Sequence, residues 1–485
     1  MCHKPQRDNP DSCVVALRAR SHPEAPAFVV SDREYTYRAW DNEITARQES
    51  LASQGVSRGD RVLLVVTPSV SCCATFWALV RLGATVCPVN PALPEKARDR
   101  AVNILEPHWM LDADGEASLR RTLTTGPPPV RFDVTPNEAA FVPCTMVLTS
   151  GSSGPPKAVV HTLSNHIAAA TAANRNMALG PGDRWILSLP LFHVAGLAVL
   201  FRCVVGGAAV VAPAPGASLE TTLIAAHATH VSLVPTQLHR LLASPDALLA
   251  LRSMKGVLLG GAPAPEELIR RAVAANIPLV RSYGMTETTA QLCATTPGAD
   301  ERDLYASGRP LVADTVRIAA DGMVEVRGDT LFAGYYGGAG SFQRPETADG
   351  WFRTGDRGYF DDAGRLHISG RFDTMFTRGG ENIHPEEIEA ALCSLPGVCR
   401  AMVVPVPDAE YGAAPVAFVD MPEHDLVKER DVLHEKLASL LPRFKLPRRF
   451  LAWPASVPEG MKPDRAAFAA LARTSDPDNH PQDYS

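Results

Sequence analysis

The chain has 485 residues, 46% of them hydrophobic and 21% charged, too long for one compact core and too apolar for disorder, so at least two globular domains are expected. Its 47 basic residues against 53 acidic give a formal charge of −6, and without a long basic run to follow a phosphodiester backbone, nucleic acid is excluded as the expected partner. Ten scattered cysteines form no CxxC pair, which argues against a zinc knuckle or a disulfide framework and fits a reducing, cytoplasmic setting.

The opening MCHKPQRDNPDSC lacks the basic start and apolar core of a secretory signal and reads as a flexible lead-in. From Arg61, RVLLVVTPS followed by CCATFWALVRLGATVCPVN reads as buried strand, helix and buried strand. The stretch TMVLTSGSSGPPK from Thr145 then places glycines, hydroxyls and one lysine after an apolar strand. Glycine lets backbone N–H groups turn inward and hydroxyls add donors, the makings of a phosphate site. The nucleotide loop of ATPases and GTPases needs glycine directly before the lysine and serine or threonine after it. Here Pro156 and Ala158 flank Lys157, so a different kind of nucleotide site is expected.

The strand–helix alternation recurs at WILSLP, LAVLFRCVVGGAAVVA, THVSLVPTQLHRLLAS and KGVLLGGAPAPEELIRRAVAANIPLVRSYG. It predicts an α/β fold of largely parallel sheets with helices on their faces, arranged as two αβ-layered subdomains. The most apolar region, from Gly196, is interrupted by Arg202 and by Gly206–Gly207, which argues against stable membrane insertion. Four polar or glycine-rich loops, TSGSSG, PLFH, GGAP and YGMTE, each follow a strand. Ligands of such sheets gather at the carboxyl ends of strands, so these loops predict one site. After about Gly308 the pattern changes to hairpins, VRIAADGMVEVRG and GYFDDAGRLHISGR, which suggest a small antiparallel β subdomain. From Phe372 a small α+β unit begins, with PEEIEAALCSL as helix and CRAMVVPVPD and VAFVDMP as strands, and the final polar residues should fray.

TSGSSGPPK, YGMTET, WFRTGDRGYFDDAGRLHISGR and GGENIHPEEIE occur in the order seen in the adenylate-forming superfamily of acyl-CoA synthetases, adenylation domains and luciferases. From roughly Pro26 to Leu471 the chain resembles that superfamily. The resemblance implies an N-terminal ATP- and acyl-substrate-binding domain over 1–372, a mobile C-terminal domain over 373–473 and a flexible tail over 474–485. It also implies two half-reactions using ATP, Mg2+ and coenzyme A: a carboxylate attacks the ATP α-phosphorus, and a thiol then displaces AMP. Thr149, Ser150, Gly151, Ser152, Ser153, Gly154 and Lys157 would hold the β- and γ-phosphates. Glu287 resembles the carboxylate that reaches the metal. Tyr283 and Gly284 would offer an aromatic face and open backbone for adenine, with Thr286 in the same nucleotide set. Asp356 is the candidate for the ribose hydroxyls, with Arg371 a fixed cation beside it and Asp373 the hinge. Lys462 stands where the superfamily carries its adenylation lysine; Met461 and Pro463 depart from the usual flanking residues, while Arg465 keeps the K-x-x-R spacing. Gly379, Gly380 and Glu381 would face the pantetheine tunnel.

PLFHVAGLAVLFRCVVGGA, THVSLVPTQLHRLL and DTMFTRGGENIHPEEIE resemble the o-succinylbenzoate–CoA ligases of menaquinone biosynthesis. That acid carries an aromatic carboxylate besides the one activated, and burying a second anion without a donor is costly. Arg202, inside an apolar segment, is its candidate partner, or else it snorkels to the surface. Ser232 is a hydroxyl donor at a strand end, His193 either gates the acyl pocket or fills it, and Gly260 and Gly261 admit a close backbone approach. Another aryl- or acyl-CoA synthetase, a stand-alone adenylation enzyme loading a carrier protein, and a homo-oligomeric state all stay open at this level.

Overall fold

The computed structural model describes residues 13–112, 120–121, 143–149, 157–337, 341–345, 347–372, 374–378, 381–408, 411–422, 425–455, 457 and 464–474. Two large sheets dominate, of nine and eight strands among the described residues. The nine-stranded sheet has a parallel run in the order Leu279–Tyr283, Gly256–Leu259, His230–Leu233, Arg184–Ile186, Ala209–Ala212, Pro26–Val30. In the eight-stranded sheet Trp109–Leu111, Arg61–Val65, Thr85–Val89 and Pro143–Thr149 are parallel neighbours, and Lys157–Thr162 returns antiparallel to the last. Arg61–Val65 and Thr85–Val89 are buried throughout, as strands covered on both faces must be.

The largest apolar cluster joins Val62 and Val86 of one sheet to Phe28, Val210 and Val280 of the other, through helices Tyr37–Ser53, Val70–Leu82 and Val194–Gly206. Helices therefore form a shared middle layer between the sheets. Phe76, Trp77 and Phe201 meet edge-on there, with centroids 5.0–5.9 Å apart, the packing aromatic quadrupoles favour. Helix Val70–Leu82 starts where Ser69 accepts from the Cys72 N–H and stops at left-handed Gly83, the polar start and glycine stop expected of a well-defined helix. Further clusters cover the outer faces of both sheets.

The hairpins expected after Gly308 form an antiparallel sheet of Val316–Ile318, Met323–Val326, Trp351–Phe360 and Leu366–Arg371 with a short edge strand. One strand escapes that pattern: Gly334–Tyr336 crosses to the eight-stranded sheet and pairs with Lys157–Thr162. Tyr336 is fully buried there, an apolar anchor that outweighs the sequence neighbourhood. Beyond Arg371 the hairpin Arg400–Asp408 and Gly412–Asp420, a parallel strand Arg449–Ala452, and helices Pro385–Cys393, Leu426–Leu440 and Arg465–Thr474 build a small domain with its own cores. The architecture is thus a large N-terminal α/β domain and a small C-terminal α+β domain. Among the described residues no helix is long and apolar enough to cross a membrane.

Candidate active site

The ends of the glycine-rich loop are pinned by the sheet. Thr149 and Lys157 are cross-strand partners, and Thr149 Oγ1 donates to the Lys157 carbonyl at 3.3 Å. Ser150, Gly151, Ser152, Ser153 and Gly154 lie outside the described residues. Lys157 Nζ sits 5.0 Å from the centroid of the Tyr335 ring, a cation–π contact, and the Tyr335 hydroxyl donates to Glu287 Oε1 at 2.8 Å. Burial, and then the Glu287 charge, push the Tyr335 phenol well above its ordinary value, so it remains a donor. Lysine, phenol and carboxylate thus come together where the sheets converge. Tyr335 was missed by sequence reasoning; the only signal was two tyrosines alternating across the short strand Gly334–Tyr336.

Thr286–Thr288 is a single turn of 3-10 helix directly after the strand Leu279–Tyr283. Gly284 is exposed, and on the side where a Cβ would stand it lies against backbone: a Cβ there would be 1.5 Å from the Ala290 carbonyl oxygen. The fold of this turn therefore requires glycine at 284, while its other side stays open. Among the described residues no group of three or more His, Cys, Asp or Glu side chains could hold a metal. Glu287 alone fits a magnesium ion that arrives with a triphosphate, since Mg2+ takes one or two carboxylates and completes its shell with phosphates and water.

Asp356 and Arg371 face each other across the hairpin of Trp351–Phe360 and Leu366–Arg371. Arg371 Nη1 donates to Asp356 Oδ1 at 2.9 Å, and the Tyr283 hydroxyl donates to Oδ2 at 2.6 Å. Asp356 is buried with 6% exposure. Burial, then the Asp356 charge, raise the Tyr283 phenol well above its ordinary value, so the carboxylate is held by a donor on each oxygen. The sequence placed these three residues in one site, and the structure brings them into direct contact.

Helix Val194–Gly206 carries Arg202. Gly196 is forced by packing, as a Cβ would lie 2.2 Å from the Pro190 carbonyl oxygen of the PLFH loop. His193 stands exposed at the N-cap of this helix with its ring 4.6 Å from Phe192. Arg202 does not snorkel: it is 3% exposed, its Nη2 donates to Gln291 Oε1 at 2.9 Å, and it lies 5.2 Å from the Trp185 ring centroid. Burial draws its pKa down to about 10, which still leaves it charged at neutral pH. Among the described residues no carboxylate meets it, and both Arg202 Nε and Gln291 Nε2 lack a partner. The two side chains are a buried, incompletely satisfied pair of donors, a state that costs several kcal/mol unless an anion completes it, by the usual ~3–5 kcal/mol of an uncompensated buried charge. Gln291 was not foreseen, because an isolated glutamine carries no sequence signal.

The other acyl-pocket candidates divide. Ser232 accepts from the Trp185 indole N–H at 3.1 Å; it holds the ring over which Arg202 lies, and its own hydroxyl proton is still available to donate. Gly260 follows the strand Gly256–Leu259 with Ser282 Oγ 2.6 Å from where a Cβ would be, and Gly261 has φ +80°, so both serve close approach and a tight turn together.

In the small domain, Asp373, Gly379, Gly380 and Lys462 lie outside the described residues, and Glu381 is exposed at the start of the strand Glu381–Ile383. Arg465 of the K-x-x-R spacing is among the described residues. Arg465 donates to Glu389 at 2.6 Å and to Glu386 at 3.3 Å, and Glu386 also accepts from Thr374 Oγ1 at 2.7 Å. Helix Pro385–Cys393 thereby holds both Arg465 and Thr374.

This geometry agrees with what the chain is similar to. Residues 15–336 match the AMP-binding enzyme family and residues 387–459 match the AMP-binding enzyme C-terminal domain. The chain belongs to the AMP-binding enzyme family. Within it, the 2-succinylbenzoate–CoA ligase of Salmonella typhimurium is 37% identical over 442 residues, covering 90% of this chain and 92% of that one, and its Escherichia coli counterpart is 36% identical over 451 residues, covering 90% and 93%. Among solved structures, a variant of E. coli MenE with bound OSB-AMS superposes with a TM-score of 0.79 at 32% identity, over 97% of this chain and 99% of that one. The o-succinylbenzoate CoA synthetase (MenE) of Bacillus subtilis in complex with ATP and magnesium ion gives a TM-score of 0.76 at 27% identity, over 91% and 95%.

Proposed function

We propose that the chain is an AMP-forming o-succinylbenzoate–CoA ligase of menaquinone biosynthesis that acts in the cytoplasm on small molecules, with neither nucleic acid nor membrane as partner. The relatives and solved structures that it resembles carry that activity in their names. The observation within the chain that carries the reading is Arg202, a buried cation with no carboxylate partner among the described residues, in an otherwise apolar helix. An acid with a second carboxylate supplies the missing charge.

In the first half-reaction the succinyl carboxylate oxygen attacks the ATP α-phosphorus in line; the new O–P bond forms as the bond to the bridging oxygen breaks, and pyrophosphate leaves with that electron pair. Lys157 and the loop N–H groups neutralise the departing phosphates, while Lys462 spans the carboxylate and α-phosphate oxygens. Glu287 would hold Mg2+, which when bound would supply further charge neutralisation. Asp356, held by Tyr283 and Arg371, accepts from the ribose hydroxyls and so fixes the α-phosphorus. The small domain then turns about Asp373, breaking the contacts Arg357–His384 (3.4 Å) and Cys399–His239 (3.6 Å), and brings Gly379, Gly380 and Glu381 to line the pantetheine path. The CoA sulfur attacks the acyl carbon, the C–O bond to AMP breaks, and AMP departs.

The test is CoA-thioester formation with ATP and Mg2+ across o-succinylbenzoate, benzoylpropionate, benzoate, a medium-chain fatty acid and acetate. A clear preference for o-succinylbenzoate is expected; equal use of benzoylpropionate, which lacks the ring carboxylate, refutes the substrate assignment.

A further inference from the structure

Two histidines buried at the junction of the large sheets have no part in the chemistry above. Thr145 and His161 are cross-strand partners with no exposure, and His166 is 2% exposed. Thr162 caps helix Leu163–Met177, which turns the chain back so that His166, one turn in, reaches Thr145. Thr145 Oγ1 lies 3.2 Å from His161 Nδ1 and 2.9 Å from His166 Nε2, while His161 Nε2 lies 2.7 Å from the carbonyl oxygen of Thr286, the residue before Glu287. At the other end the His166 ring stacks on Phe201, 4.2 Å away and 3° from parallel, and lines with Arg202 and Thr289 a crevice too tight to hold a water molecule.

The direction of these bonds follows from chemistry. Burial draws His161 down to about 4 and His166 well below its ordinary value, so both rings are neutral. A carbonyl only accepts, hence His161 carries its proton on Nε2 and Nδ1 is an acceptor. The single Thr145 hydroxyl proton must go to that Nδ1, and Thr145 Oγ1 must then accept from His166 Nε2–H. The chain runs one way, from the wall of the Arg202 crevice to the turn that carries Glu287, and no member can reverse alone.

We infer that Thr145, His161 and His166 are positioning residues that couple the opening of the tight crevice beside Arg202, as the acid enters it, to the geometry of the Thr286–Thr288 turn, so that the acid and Mg·ATP bind cooperatively. The inference rests on the proposed reading of those two subsites. An acid that seats against Arg202 presses on Phe201 and on the His166 ring stacked upon it; a shift there is passed through rigid hydrogen bonds to the Thr286 carbonyl. By linkage the effect is reciprocal, with ATP tightening the acid by the same factor.

The test is calorimetric titration of the whole chain with α,β-methylene ATP and Mg2+, with and without saturating o-succinylbenzoate. In the native sequence the acid should tighten the analogue by about fivefold or more, the lower end of typical couplings. Thr145→Ser keeps the hydroxyl and should keep the ratio; Thr145→Val should bind each ligand singly yet bring the ratio to within about twofold of one. Should the valine variant not fold, His166→Phe, which keeps the flat stack and removes the donor, should abolish the coupling likewise. A native ratio of one, or a native ratio retained in the variant that breaks the chain, overturns the inference while leaving the ligase reading intact. No binding of the acid to the native chain overturns both.

Discussion

Replacing Arg202 with methionine separates its cost to the fold from its use in recognition, because the two have opposite signs. Methionine keeps most of the side-chain length while removing a charge that is 3% exposed and has no carboxylate partner among the described residues. The lost favourable contacts are one hydrogen bond to Gln291 and the approach to Trp185, together about 2–4 kcal/mol. Against them stands the desolvation of the guanidinium, several kcal/mol. Stability should therefore hold or rise by about 1–3 kcal/mol, read as the midpoint of urea unfolding. With o-succinylbenzoate, loss of a buried charge pair of ~3–4 kcal/mol lowers kcat/KM by about 10²–10³. Benzoylpropionate has no ring carboxylate to lose and should change by less than about threefold or improve. Equal losses with both acids, or a fall in stability of several kcal/mol, would refute the assignment and make Arg202 a structural residue.

Lys462→Ala should lower adenylation, followed by pyrophosphate exchange, by about 10²–10³, the usual loss for one transition-state donor, and should spare thioester formation from premade adenylate; equal loss in both steps rejects the role. Gly284→Ala should destabilise the chain by at least ~3 kcal/mol, because its Cβ would meet the Ala290 carbonyl oxygen at 1.5 Å; unchanged thermal unfolding would show that this turn yields freely. His161 has a folded pKa of about 4 against an ordinary 6.5, so the unfolded chain binds more protons between those values and stability must fall as pH drops through that window, by on the order of 3 kcal/mol for this residue. The unfolding midpoint measured from pH 7 to pH 4 should lose that slope when both His161 and His166 are replaced by glutamine.

The layered architecture was legible because burial writes itself into apolar runs: RVLLV and TVCPV are buried at every position. The motifs read as a nucleotide site were legible separately, and three of their residues, Tyr283, Asp356 and Arg371, do meet. What escaped was set by long-range packing. Tyr335 reaches Glu287 only because the strand Gly334–Tyr336 crosses to the other large sheet, and no local pattern announces that crossing. Gly284 has a packing reason that no motif discloses, since a glycine records that space is short and never what fills it. Gln291 and the two buried histidines matter through the partner each finds far away in sequence, with Arg202 separated from Gln291 by 89 residues and His161 from Thr286 by 125.

The unsatisfied state of Arg202 is also an argument about specificity. A pocket tuned by shape alone separates acids that differ by one group by only ~1–3 kcal/mol, whereas a site whose buried polar groups are left unpaired by the wrong ligand rejects it by factors of about 10⁴. Arg202 Nε and Gln291 Nε2 are donors of the second kind. An acid lacking the ring carboxylate would close the crevice over a charge with no counterion, so the same feature that burdens the empty protein works against the wrong substrate. It follows that Gln291→Leu, which removes one orphan donor and frees Arg202 Nη2, should weaken o-succinylbenzoate less than Arg202→Met does and should still exclude benzoylpropionate, because the buried charge remains. Free entry of benzoylpropionate into that variant, measured by its kcat/KM relative to the native chain, would place the discrimination in pocket shape instead of charge.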